Sequence, residues 1–486
     1  MTQDFRTPLD REVIECNFAE LHPPLTPAEA THEANRCLYC YDAPCMHACP
    51  THIDIPGFIK KIASGNLTGS ARVIFDANPI GATCARVCPV EALCEGACVE
   101  KTLLRKPIEI GRLQRYATDH VLSSGKQLFE KGEPNGKSVG IVGSGPAGLS
   151  CATYLARLGY DVTVYDRRPM AGGLDTYGMA EYKMTQAVSQ AEVDQVARLG
   201  VKFVLNTEIG EKSEPPASAC GPSQATGHHD AELDAPVQTV AFADLKEWHD
   251  AVFIGVGLGA TNKLNIPGED LDGVYDALHF IEQVKTREWE KVPLGRTVAV
   301  IGAGNTAIDA VTQAKRLGAE KAILVYRRGE KDIPAYDYEY ELAKHDGIEF
   351  IWHAAPIGIL SENDDGRVSS LRCERTDGSL QIFEVPCDMV IKAIGQTKMS
   401  WFFSSVAGVA VDRAGRVIVN DLMQTSDAKV FAGGDCVNGG GEAVEAAQMG
   451  KLAAMGIHRS LTGQTTEFAG TVLRGSLTGR SGPGDL

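Results

Sequence analysis

The stretch Ser138-Val-Gly-Ile-Val-Gly143-Ser144-Gly145-Pro146-Ala147-Gly148-Leu149 decides the fold. Its first five residues form a short apolar run that reads as a buried strand. Gly143-x-Gly145-x-x-Gly148 follows as a loop, residues 149–158 have helical spacing, and residues 161–165 give a second strand that delivers Asp166 and Arg167. In such a loop the first glycine makes the tight turn and the second admits a pyrophosphate close to the backbone. The third lets the helix pack on the strand, and a carboxylate at the end of the second strand accepts ribose hydroxyls. The helix N-terminus adds unpaired N–H groups and a partial positive charge. Strand, loop, helix and acid occur here in register, which makes a dinucleotide site the expected reading.

The pattern recurs. Residues 297–301 read as a strand, Gly302-Ala303-Gly304-Asn305-Thr306-Ala307 as the loop, 308–317 as a helix and 322–326 as a strand. That strand ends on Arg327-Arg328 with no carboxylate, and guanidinium groups at this place match an adenosine 2′-phosphate. NADPH is therefore favoured here, with NADH left open. A third signal, Val430-Phe-Ala-Gly433-Gly434-Asp435, is an apolar strand ending on an aspartate, with a helix expected from Glu442. By analogy with flavoproteins that carry two dinucleotide domains, such a late Gly-Asp meets the flavin. The expected architecture is α/β: an FAD domain over 136–262 and 393–463, interrupted by an NAD(P)H domain over 263–392. Residues 253–257 and 390–395 are the expected crossovers.

Upstream, residues 1–135 read as a helical segment, with helices over 56–66, 69–77 and 110–122 and a polar linker at 126–137. Nine of the 14 cysteines lie in the first 98 residues. Eight make two compact groups: Cys37, Cys40, Cys45 and Cys49, then Cys84, Cys88, Cys94 and Cys98. In a reducing compartment such density points to metal or redox chemistry rather than disulfides. Thiolates suit both zinc and iron–sulfur clusters. Zinc has no redox chemistry to share with neighbouring nucleotide sites, whereas a cluster does.

The 486 residues carry 47 basic and 63 acidic side chains, a formal charge of -16. That argues against a general nucleic-acid or anionic-membrane binder, since both need a basic surface. No run of about 18 apolar residues is present, and the N-terminus has no signal-peptide pattern, so a cytoplasmic location is expected. Glycine, at 51 residues, is well above the usual share of about 7%. Residues 211–236 read as an unstructured insertion, with His228-His229 carrying no specific role, and 464–486 as a C-terminal tail.

Taken together, the cysteine segment, first loop and second loop resemble the small subunit of glutamate synthase and its relatives over residues 30–460. Within that family the chain is most similar to the electron-input half of dihydropyrimidine dehydrogenase. Three stretches carry this: Cys45-Met-His-Ala-Cys49-Pro-Thr-His-Ile-Asp-Ile, Asn78-Pro-Ile-Gly-Ala-Thr-Cys84 and Ile108-Glu-Ile-Gly-Arg-Leu-Gln114. The resemblance implies one [4Fe-4S] cluster on Cys37, Cys40, Cys45 and Cys98. It implies a second on Cys49, Cys88, Cys94 and Gln114, with Cys84 unligated. It places Gly173, Leu174 and Lys183 at the flavin, Ala443 and Val444 beside Asp435, Asn305 and Thr306 at the nicotinamide dinucleotide, and Ala393 and Gly395 at the second crossover. Asp166 is shorter than the family's usual glutamate. The two-subunit bacterial enzymes are generally NADH-linked, unlike the reading of Arg327-Arg328.

The resemblance also implies hydride transfer from NAD(P)H to FAD and single-electron passage through the clusters. The acceptor would be an FMN/iron–sulfur partner subunit that reduces uracil or thymine. No catalytic acid or base is assigned to this chain. The alternatives are a glutamate synthase small subunit or a ferredoxin-linked NAD(P)H oxidoreductase.

Overall fold

The computed structural model describes residues 9–212, 237–362 and 366–469. The histidine pair, Cys220, most of the expected insertion and the tail beyond residue 469 lie outside them. The chain is α/β and divides into two compact units.

One unit comprises 22–176, 187–258 and the chain from 398. Its helices follow from local chemistry. Thr26 and Glu29 form a capping box at the start of Pro27–Asn35, satisfying two otherwise unpaired N–H groups. Asp54 accepts from Gly57 N at 2.9 Å ahead of Ile55–Ala63, and Asn66 does the same for Leu67–Ala77. Ile55, Phe58, Ile59 and Ile62 are all buried, the single apolar stripe that one face of a helix produces. The helix Ile110–Ser124 stops at Gly125, whose φ of 65° is a left-handed conformation that glycine adopts without steric cost. Residues 126–137 contain no helix or strand, yet they are anchored. Leu128 is buried, and the Arg157 guanidinium lies 4.2 Å from the centre of the Phe129 ring.

The sheet of this unit is five-stranded and parallel, in the order Val430–Ala432, Ala251–Ile254, Ser138–Val142, Asp161–Tyr165, Lys202–Val204. Ser138–Val142 is central: the chain builds outward on one side through 161–165 and 202–204, then returns to its other side at 251–254, so the glycine loop leaves the sheet at a topological switch point. The helix Pro146–Arg157 packs against Ala443–Thr462, and Ser150 Oγ donates to Ala447 O at 2.6 Å. A Cβ on Gly450 would lie 2.2 Å from Ala147 O, so only glycine permits this approach. Glu192, on Gln186–Ala197, is buried and accepts from Ala82 N at 2.7 Å and from the Thr83 backbone and hydroxyl. Burial pushes its carboxyl up to about 7 against those hydrogen bonds.

The other unit comprises residues up to 21, 177–186 and 259–397. Its parallel sheet runs Glu349–Ile351, Lys321–Val325, Thr297–Ile301, Met389–Lys392, Val274–Asp276. A three-stranded antiparallel sheet, Ala354–Leu360, Ser370–Arg375 and Ile382–Pro386, accompanies it.

Three expectations need adjustment, the first being that residues 177–186, expected in the FAD domain, lie in this other unit. Residues 9–21 belong with this second unit rather than with the cysteine segment. Ile14 and Phe18 are apolar and buried there, Phe18 stacks on Trp289 at 4.9 Å, and Asn17 Nδ2 donates to Arg316 O at 3.0 Å. The stretches 253–257 and 390–395 begin as the strands Ala251–Ile254 and Met389–Lys392, and the chain changes unit shortly after each, at 258/259 and 397/398. The crossing segments lie side by side, with Gly259 N donating to Thr397 O, Thr397 N to Ala260 O and Asn262 N to Gly395 O. An inserted domain needs adjacent entry and exit points, and this short antiparallel ladder supplies them.

Gly450→Ala tests the helix contact. Because a backbone carbonyl blocks the added methyl, the variant is expected to lose about 1–3 kcal/mol of stability, read as a lower urea midpoint with an unchanged slope.

Candidate functional site

The first glycine loop is built as its spacing requires. Gly143 has φ 98°, and a Cβ there would lie 2.4 Å from Gly255 O. A Cβ on Gly148 would lie 2.0 Å from Gly143 O. At Gly145 the nearest atom to a Cβ is Gly173 Cα at 3.8 Å, so the loop keeps a shallow opening there. The helix begins at Pro146, three residues earlier than apolar spacing indicates, because proline suits the first helical position. No side chain caps this terminus, which leaves its N–H groups for a phosphate. The Asp166 carboxylate braces the loop: it accepts from Ser144 N at 2.8 Å, Ser144 Oγ at 2.5 Å and Arg168 N at 2.9 Å. A carboxylate has about four lone-pair positions, so capacity for ribose remains.

In the same unit Asp435 opens the short helix Asp435–Asn438 after the strand Val430–Ala432, and burial raises its carboxyl pKa. Its Oδ1 accepts from Gly441 N at 3.1 Å. Leu174 is exposed at the start of Leu174–Tyr177, next to Gly173. Arg167 is exposed at the strand end, and Ala443 and Val444 form the first turn of Ala443–Thr462. These residues fit a dinucleotide: an opening at a glycine, uncapped amides and a carboxylate at the neighbouring strand end.

The second loop repeats the geometry in the other unit. Gly302 has φ 128° with a Cβ position 2.2 Å from Ala393 O, while a Cβ on Gly304 would meet nothing within 4 Å. The helix runs Asn305–Leu317, uncapped, so Asn305, Thr306 and Ala307 are its first turn. Asn305 Oδ1 accepts from Tyr336 N at 3.1 Å. Arg327 and Arg328 are exposed just past the strand Lys321–Val325. Gly395, beside Ala393, has φ 80°.

Lys183, expected at the flavin, lies instead in this second unit. Its ammonium pairs with Asp309 at 2.6 Å and Glu339 at 2.5 Å. Burial by itself would lower the lysine pKa, but those two carboxylates outweigh it and raise the value. The Tyr182 hydroxyl also donates to Asp309, at 3.1 Å. Sequence spacing gives no sign of Asp309 or Glu339 as partners of Lys183; both are ordinary acidic positions on helices.

The clustered cysteines line two cavities. Cys37, Cys40, Cys45 and Cys98 surround one, together with Ile55, Ile59, Ile108 and Ile110. Cys49, Cys88, Cys94 and Gln114 line the other, together with Cys84, Asn78 and Val444. Gln114 Nε2 donates to Gly81 O at 2.7 Å, so of the two ends of its amide the oxygen is the one that could serve as a ligand. Cys84 accepts from Asn78 Nδ2 at 3.1 Å. None of the eight clustered cysteines is in a disulfide. Burial pushes Cys45 up to about 12 and raises Cys37 and Cys94; Cys88 is raised by its hydrogen bond to Cys84 and by burial. A thiolate ligand must lose that proton, so metal binding here is coupled to proton release.

Among the described residues, no three His, Cys, Asp or Glu groups converge on a point where a single ion would sit. The described helices include none long and apolar enough to cross a membrane.

Comparison with known proteins agrees with this geometry. The chain belongs to the pyridine nucleotide-disulphide oxidoreductases, whose family description matches residues 137–450, and its residues 14–126 match dihydropyrimidine dehydrogenase domain II, 4Fe-4S cluster. It is thus an oxidoreductase with an N-terminal iron–sulfur domain, and the two matches support iron–sulfur, flavin and nicotinamide cofactors.

Two relatives narrow the placement. The chain is 34% identical over 482 residues to the glutamate synthase [NADPH] small chain of Escherichia coli K12, covering 93% of this chain and 95% of that one. It is 31% identical over 444 residues to the NAD-dependent dihydropyrimidine dehydrogenase subunit PreT of the same organism, covering 91% and 97%. Lactococcus lactis thioredoxin reductase shares the fold, with a TM-score of 0.51 at 21% identity over 68% of this chain and 100% of that one.

Arg327 and Arg328 generate a prediction. Replacing both with alanine should weaken NADPH far more than NADH, each lost guanidinium–phosphate contact costing about 1–3 kcal/mol. Stopped-flow titration of flavin reduction by the two nucleotides measures it. A wild-type protein reduced by NADH and indifferent to NADPH would refute the assignment.

Proposed function

We propose that the chain is the electron-input subunit of a dihydropyrimidine dehydrogenase, binding FAD, NAD(P)H and two [4Fe-4S] clusters and serving an FMN/iron–sulfur partner that reduces uracil or thymine. The observation that carries it is Gln114 on the wall of the cavity shared by Cys49, Cys88 and Cys94. Bound together, a nicotinamide, a flavin and iron–sulfur clusters convert a two-electron donor into single electrons.

The chain's own residues bind and orient. Gly143, Gly145 and Gly148 with Asp166 and Asp435 hold FAD in the unit that also carries the cysteines. Gly302, Gly304 and Ala307 hold the nicotinamide dinucleotide, with Arg327 and Arg328 on its ribose phosphate. Cys37, Cys40, Cys45 and Cys98 hold one cluster; Cys49, Cys88, Cys94 and Gln114 hold the other. The apolar linings, Ile55 between both cavities and Ile59, Ile108 and Val444 around them, exclude water, a condition that tunes cluster potentials.

A second reading, a glutamate synthase small subunit, is favoured by the 34% identity to that protein. Arg327-Arg328 suits its NADPH dependence. Substrate discriminates the two.

The purified chain should contain about eight irons and eight labile sulfides, and alone it should reduce artificial acceptors with NAD(P)H while leaving uracil untouched. Combined with its FMN-bearing partner it should form dihydrouracil. Gln114→Ala should keep flavin reduction and lower iron content or uracil turnover, whereas Cys84→Ala should keep both. Glutamate formation in place of dihydrouracil would establish the second reading, and stoichiometric zinc without sulfide would dispose of both.

A further inference from the structure

Lys451 lies on the helix Ala443–Thr462 and is fully buried, at 0% exposure. Its ammonium donates to Thr51 O at 3.2 Å and Ala469 O at 3.0 Å and sits 5.7 Å from the centre of the Tyr154 ring. Among the described residues it makes no ion pair. Asp76, whose field reaches it, is held by Arg157 at 2.6 Å. An ammonium removed from water with only neutral carbonyls for company is costly. Burial pulls its pKa down to about 7, opposed by Cys49 and Asp76.

The neighbourhood shows what would offset that cost. Thr51 accepts the Lys451 hydrogen bond through its carbonyl and places its own hydroxyl 3.4 Å from Cys49 Sγ. Cys49 lines the second cavity, and so does Val444, two turns before Lys451 on the same helix face. The ammonium therefore holds the backbone two residues beyond a thiol of that cavity.

We propose that Lys451 is the counter-charge of an anionic cluster held by Cys49, Cys88, Cys94 and Gln114, and that it raises the reduction potential of that cluster selectively. This rests on the cluster assignment above. Each added electron makes the cluster more negative, so a fixed cation behind one thiolate favours the reduced form. Net charge and hydrogen bonds to the sulfurs are established determinants of cluster potential. The Thr51 hydroxyl adds a donor to the Cys49 thiolate in the same direction. Because Lys451 touches no substrate, its role is tuning and not catalysis.

The test uses the loaded protein and its Lys451→Met, Lys451→Gln and Lys451→Arg variants. Iron and sulfide content are measured, followed by dye-mediated redox titration read by electron paramagnetic resonance. In the Met and Gln variants the potential of one cluster should fall while the other stays put, and Arg should remain near wild type. Loss of about four irons in Met and Gln that Arg retains supports the same conclusion, since charge and not shape then holds the cluster. Fully loaded Met and Gln variants with unmoved potentials would overturn the proposal. So would an Arg variant that fails along with them, which would indicate packing. A wild-type protein lacking labile sulfide would instead overturn the cluster assignment and this role with it.

Discussion

The close approach of Gly450 to the carbonyl of Ala147 organises the unit that carries the cysteines. It lets Ala443–Thr462 lie directly on Pro146–Arg157, with Ser150 Oγ tied to Ala447 O. One helix leads from the glycine loop; the other contributes Val444 to the second cysteine cavity and Lys451 behind it. A larger residue at position 450 would push the helices apart and displace both features together. Spacing between the nucleotide loop and the cavity wall is thus set by a missing Cβ, and dense packing transmits any change there because the interior has no slack.

Buried charge is the second constraint. Lys183 lies between Asp309 and Glu339, and Glu192 is surrounded by the amides and hydroxyl of 82–83. A buried ion is tolerated when its neighbours replace water, and removing one partner leaves the other exposed to the full desolvation cost. Both arrangements hold segments distant in sequence: 183 with 309 and 339, and 192 with the short helix Gly81–Val87 that precedes Cys88. They fix where loops of chemical interest sit, and they do so with direction, which apolar contacts lack.

The repeating units are legible in the sequence, because strand, glycine loop and helix are local patterns with a steric cause. Ser138–Val142, Asp161–Tyr165 and Thr297–Ile301 coincide with the strands read from apolar runs. Helix starts are less legible: Pro146 and Asn305 are already helical, though neither is apolar enough to extend the periodic pattern. Position along the chain groups residues 9–21 with the cysteine segment, whereas Phe18 and Ile14 find their core beside Trp289 and Phe280. Lys183 and Lys451 are beyond local reading altogether. Spacing says that a lysine is present, but only tertiary structure says that one is ion-paired and the other buried without an acid.

Interleaving of the cysteines has a consequence for how the N-terminal segment holds together. Cys45 faces the first cavity and Cys49, one helical turn on, faces the second; Cys94 and Cys98 divide the other way. Each cavity therefore draws donors from both compact groups, across a gap that spans the helices Ile55–Ala63 and Leu67–Ala77. A cluster in either cavity would close a loop of that length and restrict the unfolded chain, as any cross-link does. Ile55 lines both cavities, so the wall between them is shared. Filling one site would fix the same two stretches of backbone that the other draws on. Two four-cysteine knots, each formed within its own group, would give two separable sites; donors drawn from both groups would instead link the two sites through the chain itself.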